Sequence, residues 1–191
     1  MKKQIITIAL LISSLIGYSK TEIKNYLVDI SKKVTVEFKN VKKGHLLSIK
    51  DNQGVKIYSE EISENGHLSK ILDVTSLEKG TYYVELDKDF EIAIKLFQIK
   101  ENQVIFNENE EKTIFKPVAR NEENVLLISK IAFDNEPMQV VLYYNDEMIF
   151  SETIKSEAIL NRVYRLEKEK KGNYTVLFYN NGRSFEKRFK I

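Results

Sequence analysis

The sequence contains one turn-and-strand motif twice. Residues 79–82 (Lys-Gly-Thr-Tyr) and residues 171–174 (Lys-Gly-Asn-Tyr) each place a tyrosine two positions after a glycine, and alternating apolar residues follow both tyrosines. Glycine allows a tight turn, and alternation with a period of two is typical of a strand with one buried face. The motif therefore predicts, at two places, a turn that leads into a half-buried strand.

The two copies lie 92 positions apart (from 79 to 171), and the same shift aligns most of the two halves without an insertion. Identical pairs at this shift include Ile57/Ile149, Glu60/Glu152, Leu68/Leu160, Val84/Val176 and Phe97/Phe189, and similar pairs include Leu46/Met138, Ile49/Val141, Ile71/Val163 and Lys70/Arg162. A period of this length exceeds the ~20–50 residues of solenoid repeats. The sequence therefore predicts two tandem copies of one complete domain.

Turns punctuate the rest of the chain at short intervals. Segments such as residues 51–54 (Asp-Asn-Gln-Gly) and 63–66 (Ser-Glu-Asn-Gly) separate apolar-alternating runs at about the 8–12-residue spacing of an all-β sandwich. Residues 167–170 (Glu-Lys-Glu-Lys) have helical propensity, but they align with a turn of the first half and are predicted to form a loop. We expect an all-β fold of two tandem antiparallel β-sandwich domains. Residues 77–82 (Leu-Glu-Lys-Gly-Thr-Tyr) resemble the turn and tyrosine corner of fibronectin type III domains. The resemblance implies that both domains are Ig-like or fibronectin type III-like.

The N-terminus has the layout of a secretory signal peptide. Lys2 and Lys3 precede an apolar run from 5 to 16, and small residues stand at Gly17 and Ser19 before a predicted cut at Lys20. The run is shorter than the ~20 apolar residues that a membrane span requires. The predicted organisation is a signal peptide (1–19), a first β-sandwich domain (20–106), a linker (107–112) and a second β-sandwich domain (113–191).

Charge argues against several kinds of partner. Cleavage after residue 19 removes two of the 30 basic residues and none of the 28 acidic ones, so the mature chain holds 28 of each. A balanced chain gives no support to nucleic-acid binding, and the mature chain contains no segment that predicts a stable membrane span. The sequence has no cysteine, so an exported form depends on its hydrophobic cores and not on disulfides.

We find no residue pattern that predicts catalysis or a cofactor. His45 and His67 have no spaced histidine or cysteine partner and are predicted to be exposed residues at strand starts, and neither a nucleophile elbow nor a phosphate-binding glycine loop occurs. Acidic turns are the candidates for calcium, at residues 51–52, 87–89 and 108–111, although none has the spacing of an EF-hand loop. We therefore expect a non-enzymatic protein without a cofactor, and we leave calcium open.

Several tyrosines are candidates for a partner-binding surface. Gly80 and Gly172, with Tyr82 and Tyr174, are predicted to be structural markers of the repeat, because their phase assigns both tyrosines to the core or to a strand corner. Aromatic side chains on the outer face of a strand or near loops are common in binding surfaces. The candidates of this second kind are Tyr83, Tyr143, Tyr144 and Tyr179.

The repeated unit resembles exported β-sandwich modules of the Bacteroidetes type. In the first half it runs Leu-x-Ile-Lys-Asp (47–51), Asp-Val-Thr-Ser-Leu (73–77), Lys-Gly-Thr-Tyr (79–82) and Lys-Leu-Phe-Gln-Ile (95–99). This order is similar to the C-terminal sorting domain of type IX secretion and to related small secreted domains. The second half departs from it at Arg165, Glu169 and Asp146, where the first half has Asp, Leu and Gly.

The signal peptide and the resemblance imply an exported protein, in the periplasm, at the cell surface or outside the cell. The absence of a catalytic pattern indicates that it binds rather than catalyses. The expected partner is a protein or a surface glycan, and the expected role is binding, adhesion or envelope assembly through sheet edges and loops. One alternative is a secretion-system cargo or sorting module whose second domain is a C-terminal export signal. A further alternative is a glycan-active enzyme with a carboxylate pair that the sequence does not reveal.

Overall fold

The computed structural model describes residues 27–29, 32–101, 103–133, 135–155 and 158–191, and the predicted signal peptide lies outside these ranges. Within the described residues the chain forms fifteen strands and no helix, and all strand pairs are antiparallel, which confirms the all-β prediction. The strands are β1 Leu27–Asp29, β2 Lys33–Val41, β3 Leu46–Asp51, β4 Lys56–Glu61, β5 Gly66–Asp73, β6 Gly80–Asp87, β7 Glu91–Lys100, β8 Gln103–Phe115, β9 Val118–Glu122, β10 Val125–Ile131, β11 Met138–Tyr144, β12 Glu147–Ile154, β13 Ile159–Arg165, β14 Asn173–Asn180 and β15 Arg183–Lys190.

The first half is a sandwich of two sheets. One sheet has the strand order β1-β8-β7-β6-β3-β4, and β2 pairs with β5 in the other. Alternation determines which face of each strand is buried: Val34, Val36 and Phe38 are buried on β2 while the residues between them are exposed. These side chains join residues of β3, β6, β7 and β8 in one hydrophobic core between the two sheets.

The second half has a sandwich of its own. Its sheets have the strand orders β12-β11-β14-β15 and β13-β10-β9, and a separate hydrophobic core lies between them. Tyr174, Val176 and Phe178 on β14 are almost completely buried there, as the alternation after Gly172 predicts. The loop predicted at residues 167–170 is also present, between β13 and β14. Whether the two sandwiches are tandem copies of one domain stays a prediction.

One strand departs from the constant 92-residue shift. Val34 pairs with Leu72 and Leu126 with Tyr164, so β2–β5 and β10–β13 agree with the shift. In β11, however, Val140 pairs with Glu152, whereas the residue of β3 that pairs with Glu60 is Leu47. The shift between β3 and β11 is therefore 93 positions (47 to 140). The alignments of Leu46 with Met138 and of Ile49 with Val141 are thus not structurally equivalent.

The predicted linker is not an irregular segment. Residues 107–112 lie within β8, which continues from Gln103 to Phe115 along one edge of β7. Phe106 pairs with Phe97 and Glu111 with Lys95, so the four residues between Phe106 and Glu111 face only one residue of β7. These polar residues form a bulge within a strand. The domain boundaries themselves stay a prediction.

Candidate binding surfaces

Tyr82 and Tyr174 stabilise the two turns that precede their strands. The hydroxyl of Tyr82 donates a 2.9 Å hydrogen bond to the backbone carbonyl of Glu78, and Tyr174 makes the same bond to Lys170, also at 2.9 Å. Each ring also stacks on a phenylalanine of the next strand, with centroids 5.3 Å apart for Tyr82 and 5.5 Å apart for Tyr174. Both tyrosines are buried, so their rings are not available to a partner.

The four tyrosines predicted to contact a partner do not form one surface. Tyr83 is half-buried and packs against a small apolar cluster on the outer face of the first half. Tyr143 is half-buried, and Tyr144 packs on the second core while its hydroxyl donates to the carbonyl of Lys171 at 3.1 Å. Tyr179 is 42% exposed, but it lies at the opposite end of the β11–β14 pair from Tyr144. Their role as partner-binding residues stays a prediction.

One of the two histidines is buried, contrary to the prediction that both are exposed. His45 is 5% exposed because it lies in the tight turn before β3, where its Nδ1 accepts a 3.1 Å hydrogen bond from the backbone N–H of Lys42. Its Nε2 lies 3.6 Å from a carboxylate oxygen of Asp89. His67, by contrast, is exposed on β5.

Two of the predicted acidic turns, at residues 51–52 and 87–89, use aspartate carboxylates within the protein. In the third, the side chains of residues 108 and 109 lie outside what the structure describes. An oxygen of Asp51 accepts hydrogen bonds from the backbone N–H groups of Gln53 and Val55, at 2.9 and 2.8 Å, and so closes the β3–β4 turn. Asp87 pairs with Lys116, and Asp89 pairs with Lys42 at 2.6 Å. In the part of the chain that the structure describes, no three acidic, histidine or cysteine side chains are grouped in a way that could hold a metal ion.

A buried ion cluster connects the two halves. Glu85 of β6 is 4% exposed, and both of its oxygens accept hydrogen bonds from Arg183 of β15, at 2.5 and 3.2 Å. Lys50 of β3 adds a 2.6 Å bond to the same carboxylate. Burial alone would raise the pKa of Glu85, but the guanidinium and the ammonium together outweigh burial and hold the pKa below its ordinary value.

Beside this cluster, apolar side chains from both halves meet. Ile92, Ile94 and Ile114 are buried on the outer face of the first sheet, and Phe185 of β15 packs against them. Phe185 also contacts the second core. The contact between the halves therefore combines an apolar patch with a buried charge.

The sequence did not reveal the surface formed by β4 and β5. Both strands end their sheets, and they lie on the same side of the sandwich, where Lys70 of β5 pairs with Glu60 of β4. The hydroxyl of Tyr58 donates to the same carboxylate. The bond from Lys70 lowers the pKa of Glu60, and the hydrogen bond to Glu60 raises the pKa of Tyr58. Ile57 and Ile71 are large and apolar, yet they are 46% and 66% exposed.

The second half has a related arrangement at the same positions. Glu152 lies 4.0 Å from Arg162, as Glu60 lies beside Lys70, and it accepts a hydrogen bond from a tyrosine hydroxyl. That tyrosine is Tyr164 of β13, whose ring lies 5.4 Å from the ring of Phe150 on β12. Burial, with the bond to Glu152, raises the pKa of Tyr164 far above its ordinary value. The 92-residue alignment matches Glu60 with Glu152 and Lys70 with Arg162, so the sequence contained a signal for this ion pair.

No helix of the described residues has the length and hydrophobicity to cross a membrane. In the comparison with known families, residues 29–113 match the sequence model of the secretion system C-terminal sorting domain. The match runs from β1 into β8, the strands that enclose the first core. It confirms the resemblance to type IX sorting domains for this part of the chain. No curated protein matches the chain.

Several solved structures are similar to this chain at low sequence identity. The CD2-binding domain of CD58 has 13% identity and a TM-score of 0.28, and the alignment covers 84% of this chain and 92% of that one. The human OSCAR ligand-binding domain has 10% identity and a TM-score of 0.25, with 84% and 90% covered. Domains 3–5 of Drosophila OTK have 10% identity and a TM-score of 0.25, with 84% and 91% covered.

Proposed function

We propose that this protein is a non-enzymatic exported module that binds a protein or a surface glycan in the bacterial envelope or outside the cell. The observation that carries the proposal is the match of residues 29–113 to a secretion sorting domain, on a half that folds around its own core. Sorting domains belong to proteins that leave the cytoplasm. The signal-peptide pattern of residues 1–19 supports the same direction of export.

Three carboxylates of this protein lack the raised pKa that a glycosidase acid needs. A glycosidase needs one carboxyl group with a raised pKa as its acid and a second carboxylate about 5–10 Å away. The pKa values of three carboxylates are lowered, those of Glu60, Glu85 and Asp89. Lys70 lowers the pKa of Glu60, and Lys42 lowers the pKa of Asp89. At Glu85, Arg183 and Lys50 together outweigh the effect of burial. These three groups therefore stay ionised at neutral pH and act as ion-pair partners.

The sheet edges are the surfaces that suit a partner. β4 ends the first large sheet and β12 ends the second, so each has one edge that pairs with no other described strand. Unpaired backbone groups on an edge strand can bind an extended segment of another protein. Apolar side chains are exposed beside both edges: Ile57 on β4, and Met148 and Phe150 on β12.

The second candidate function is sorting itself. The family match favours this role, and it falls on residues 29–113, so the sorting proposal applies first to that half. The expectation that residues 113–191 are a C-terminal export signal stays a proposal. It has less support in the sequence, because the second half departs from the motif at Arg165 and Glu169.

Localisation with intact mass measurement tests these proposals. The full chain is produced in its native host, the cells are fractionated, and the mass of the recovered protein is measured. A chain from Lys20 to Ile191 in the envelope or the medium supports the binding module. A first half outside the cell without residues 113–191 supports the export-signal alternative. A cytoplasmic chain that still begins at Met1 would refute both.

A further inference from the structure

A cavity opens between the two sheets of the first half, on the side formed by β4 and β5. It has a volume of about 360 Å³, and its walls include Ile49, Tyr58, Leu72 and Leu77. Leu72 and Ile49 belong to the first core, so the cavity leads from the surface to core side chains. Its size is at the lower end of the ~300–1,000 Å³ range of small-molecule pockets, which suits one large side chain.

The strand register identifies the residue of the second half that corresponds to Leu72 in the cavity wall. Leu72 pairs with Val34, and Tyr164 pairs with Leu126 at the corresponding place, so Leu72 and Tyr164 are equivalent residues. Tyr164 packs its ring on Phe150. In the first half Tyr58 stands at the position of Phe150, but its neighbour on β5 is the smaller Leu72. The first half therefore has one aromatic ring where the second half has two.

The polar groups of β4 and β5 at the cavity are paired with each other, and Asp73 and Ser76 also line it. Lys70 is held by Glu60, which also accepts the hydroxyl of Tyr58, and the ammonium lies 5.8 Å from the centroid of the Tyr58 ring. The mutual bond raises the pKa of Lys70 and lowers the pKa of Glu60, so both stay charged at neutral pH. Most of the other residues that line the cavity are apolar, so its wall suits an apolar side chain.

We propose that this cavity binds an aromatic side chain of a partner polypeptide whose backbone pairs with the β4 edge. The ring would pack on Tyr58 as Tyr164 packs on Phe150. Backbone hydrogen bonds to an edge strand give affinity, and a pocket for one side chain gives specificity. Ile57, exposed on β4, would contact the next residues of the partner. This inference rests on the proposed binding function and names the chemistry of its partner.

The test is a peptide titration of the purified, isotope-labelled full chain, followed by NMR. The probe is a blocked heptapeptide, Lys-Thr-Val-Phe-Val-Thr-Lys, and its analogue has alanine in place of phenylalanine. We expect the phenylalanine peptide to shift the resonances of Tyr58, Leu72 and Leu77, and to bind at least tenfold more tightly than the alanine analogue. Equal binding of the two peptides, or no shift at these residues, would overturn the proposal.

Variants in the two halves give reciprocal results. Leu72→Tyr copies Tyr164 and should weaken binding at least tenfold, and Tyr164→Leu should create a second site of similar affinity. Ile57→Lys places a charge on the rim of the cavity and should also weaken binding, without a change in the core. Val163→Ser, at an exposed apolar position of β13, is the control and should bind like the parent chain.

The remaining outcomes separate this inference from its alternatives. A folded Leu72→Tyr variant that binds the peptide as tightly as the parent chain would contradict the inference. If Leu72→Tyr does not fold, unchanged peptide binding by Ile57→Lys would contradict it. If the chain dimerises without peptide and Leu72→Tyr abolishes the dimer, the occupant of the cavity is a second copy of this chain and not a different partner. An exported chain that binds no peptide would refute only this inference, whereas a cytoplasmic chain that binds it would refute only the proposed function.

Discussion

Replacement of Arg183 by alanine should destabilise the protein, because it removes the main partner of a buried carboxylate. Glu85 is 4% exposed, and Arg183 donates to both of its oxygens. A hydrogen bond to a charged group contributes about 1.5–3 kcal/mol, and loss of one partner of a buried ion pair costs about 3–5 kcal/mol. Lys50 remains beside the carboxylate at 2.6 Å. We therefore expect a loss of about 3 kcal/mol, at the lower end of the buried-pair range.

The loss should depend on pH in one direction. The folded-state pKa of Glu85 lies below the ordinary value of 4.5. A carboxylate with a lowered pKa stabilises the folded state above the unfolded pKa, and this contribution disappears as the pH falls through the folded pKa. The difference between the Arg183→Ala variant and the parent chain should be complete at pH 7, and it should shrink below pH 4.5.

Urea unfolding followed by far-ultraviolet circular dichroism measures the effect, because the chain has no tryptophan for fluorescence. Arg188→Ala is the matched control: Arg188 lies on the same strand, is 78% exposed at its side chain, and pairs with Glu186 at the surface. Its removal should leave the unfolding midpoint unchanged. The reasoning would be refuted if both variants were equally stable at pH 7, or if the loss in Arg183→Ala did not diminish in acid.

Two further predictions use equivalent positions of the two halves. A Cβ atom on Gly172 would meet a ring carbon of Tyr144 at 2.8 Å, whereas a Cβ atom on Gly80 would meet Tyr82 at an ordinary 3.5 Å. Gly172→Ala should therefore lower the free energy of unfolding by about 1–3 kcal/mol through overpacking. Equal thermal midpoints of Gly172→Ala and Gly80→Ala would contradict this prediction. Tyr82→Phe and Tyr174→Phe should each cost about 0.5–1.5 kcal/mol, the contribution of one hydrogen bond, whereas the exposed Tyr179→Phe should cost nothing measurable in the same urea assay.

The alternation of apolar residues was sufficient to predict most strands. Val34, Val36 and Phe38 alternate with polar residues, and the structure buries all three on one face of β2. Such a pattern depends only on the period of the strand and on neighbouring residues, so it is visible in the sequence. Residues 107–112 have no apolar alternation, and they belong to a strand because β7 pairs with Phe106 before the bulge and with Glu111 at its end. That partner is a tertiary contact, and the local sequence does not encode it.

The sequence alignment does not detect the one-residue displacement of β11, because two changes of segment length compensate each other. The β11–β12 hairpin turns through Asn145 and Asp146, both with positive φ, whereas the β3–β4 hairpin uses the longer turn 52–55 with Gly54 at a φ of 83°. Eight residues separate the paired Ile49 and Tyr58, and seven separate the paired Leu142 and Phe150, so the second hairpin is one residue shorter. The segment that precedes β11 is one residue longer by the same register. A longer loop before the strand and a shorter turn after it keep the overall spacing constant. Matching positions at a fixed shift therefore cannot detect the displacement.

The long-range charge pair and the cavity could not be predicted from the sequence, for a different reason. Glu85 and Arg183 are separated by 98 positions, and nothing near either residue distinguishes it from the other charged residues of a balanced chain. The cavity beside Tyr58 is likewise invisible, because Leu72 is an ordinary core residue by its pattern. Only its comparison with Tyr164 shows a missing ring, and that comparison requires the register of both strand pairs. The two halves thus share a pattern of burial, while the contacts that distinguish them depend on single residues and on their neighbours in space.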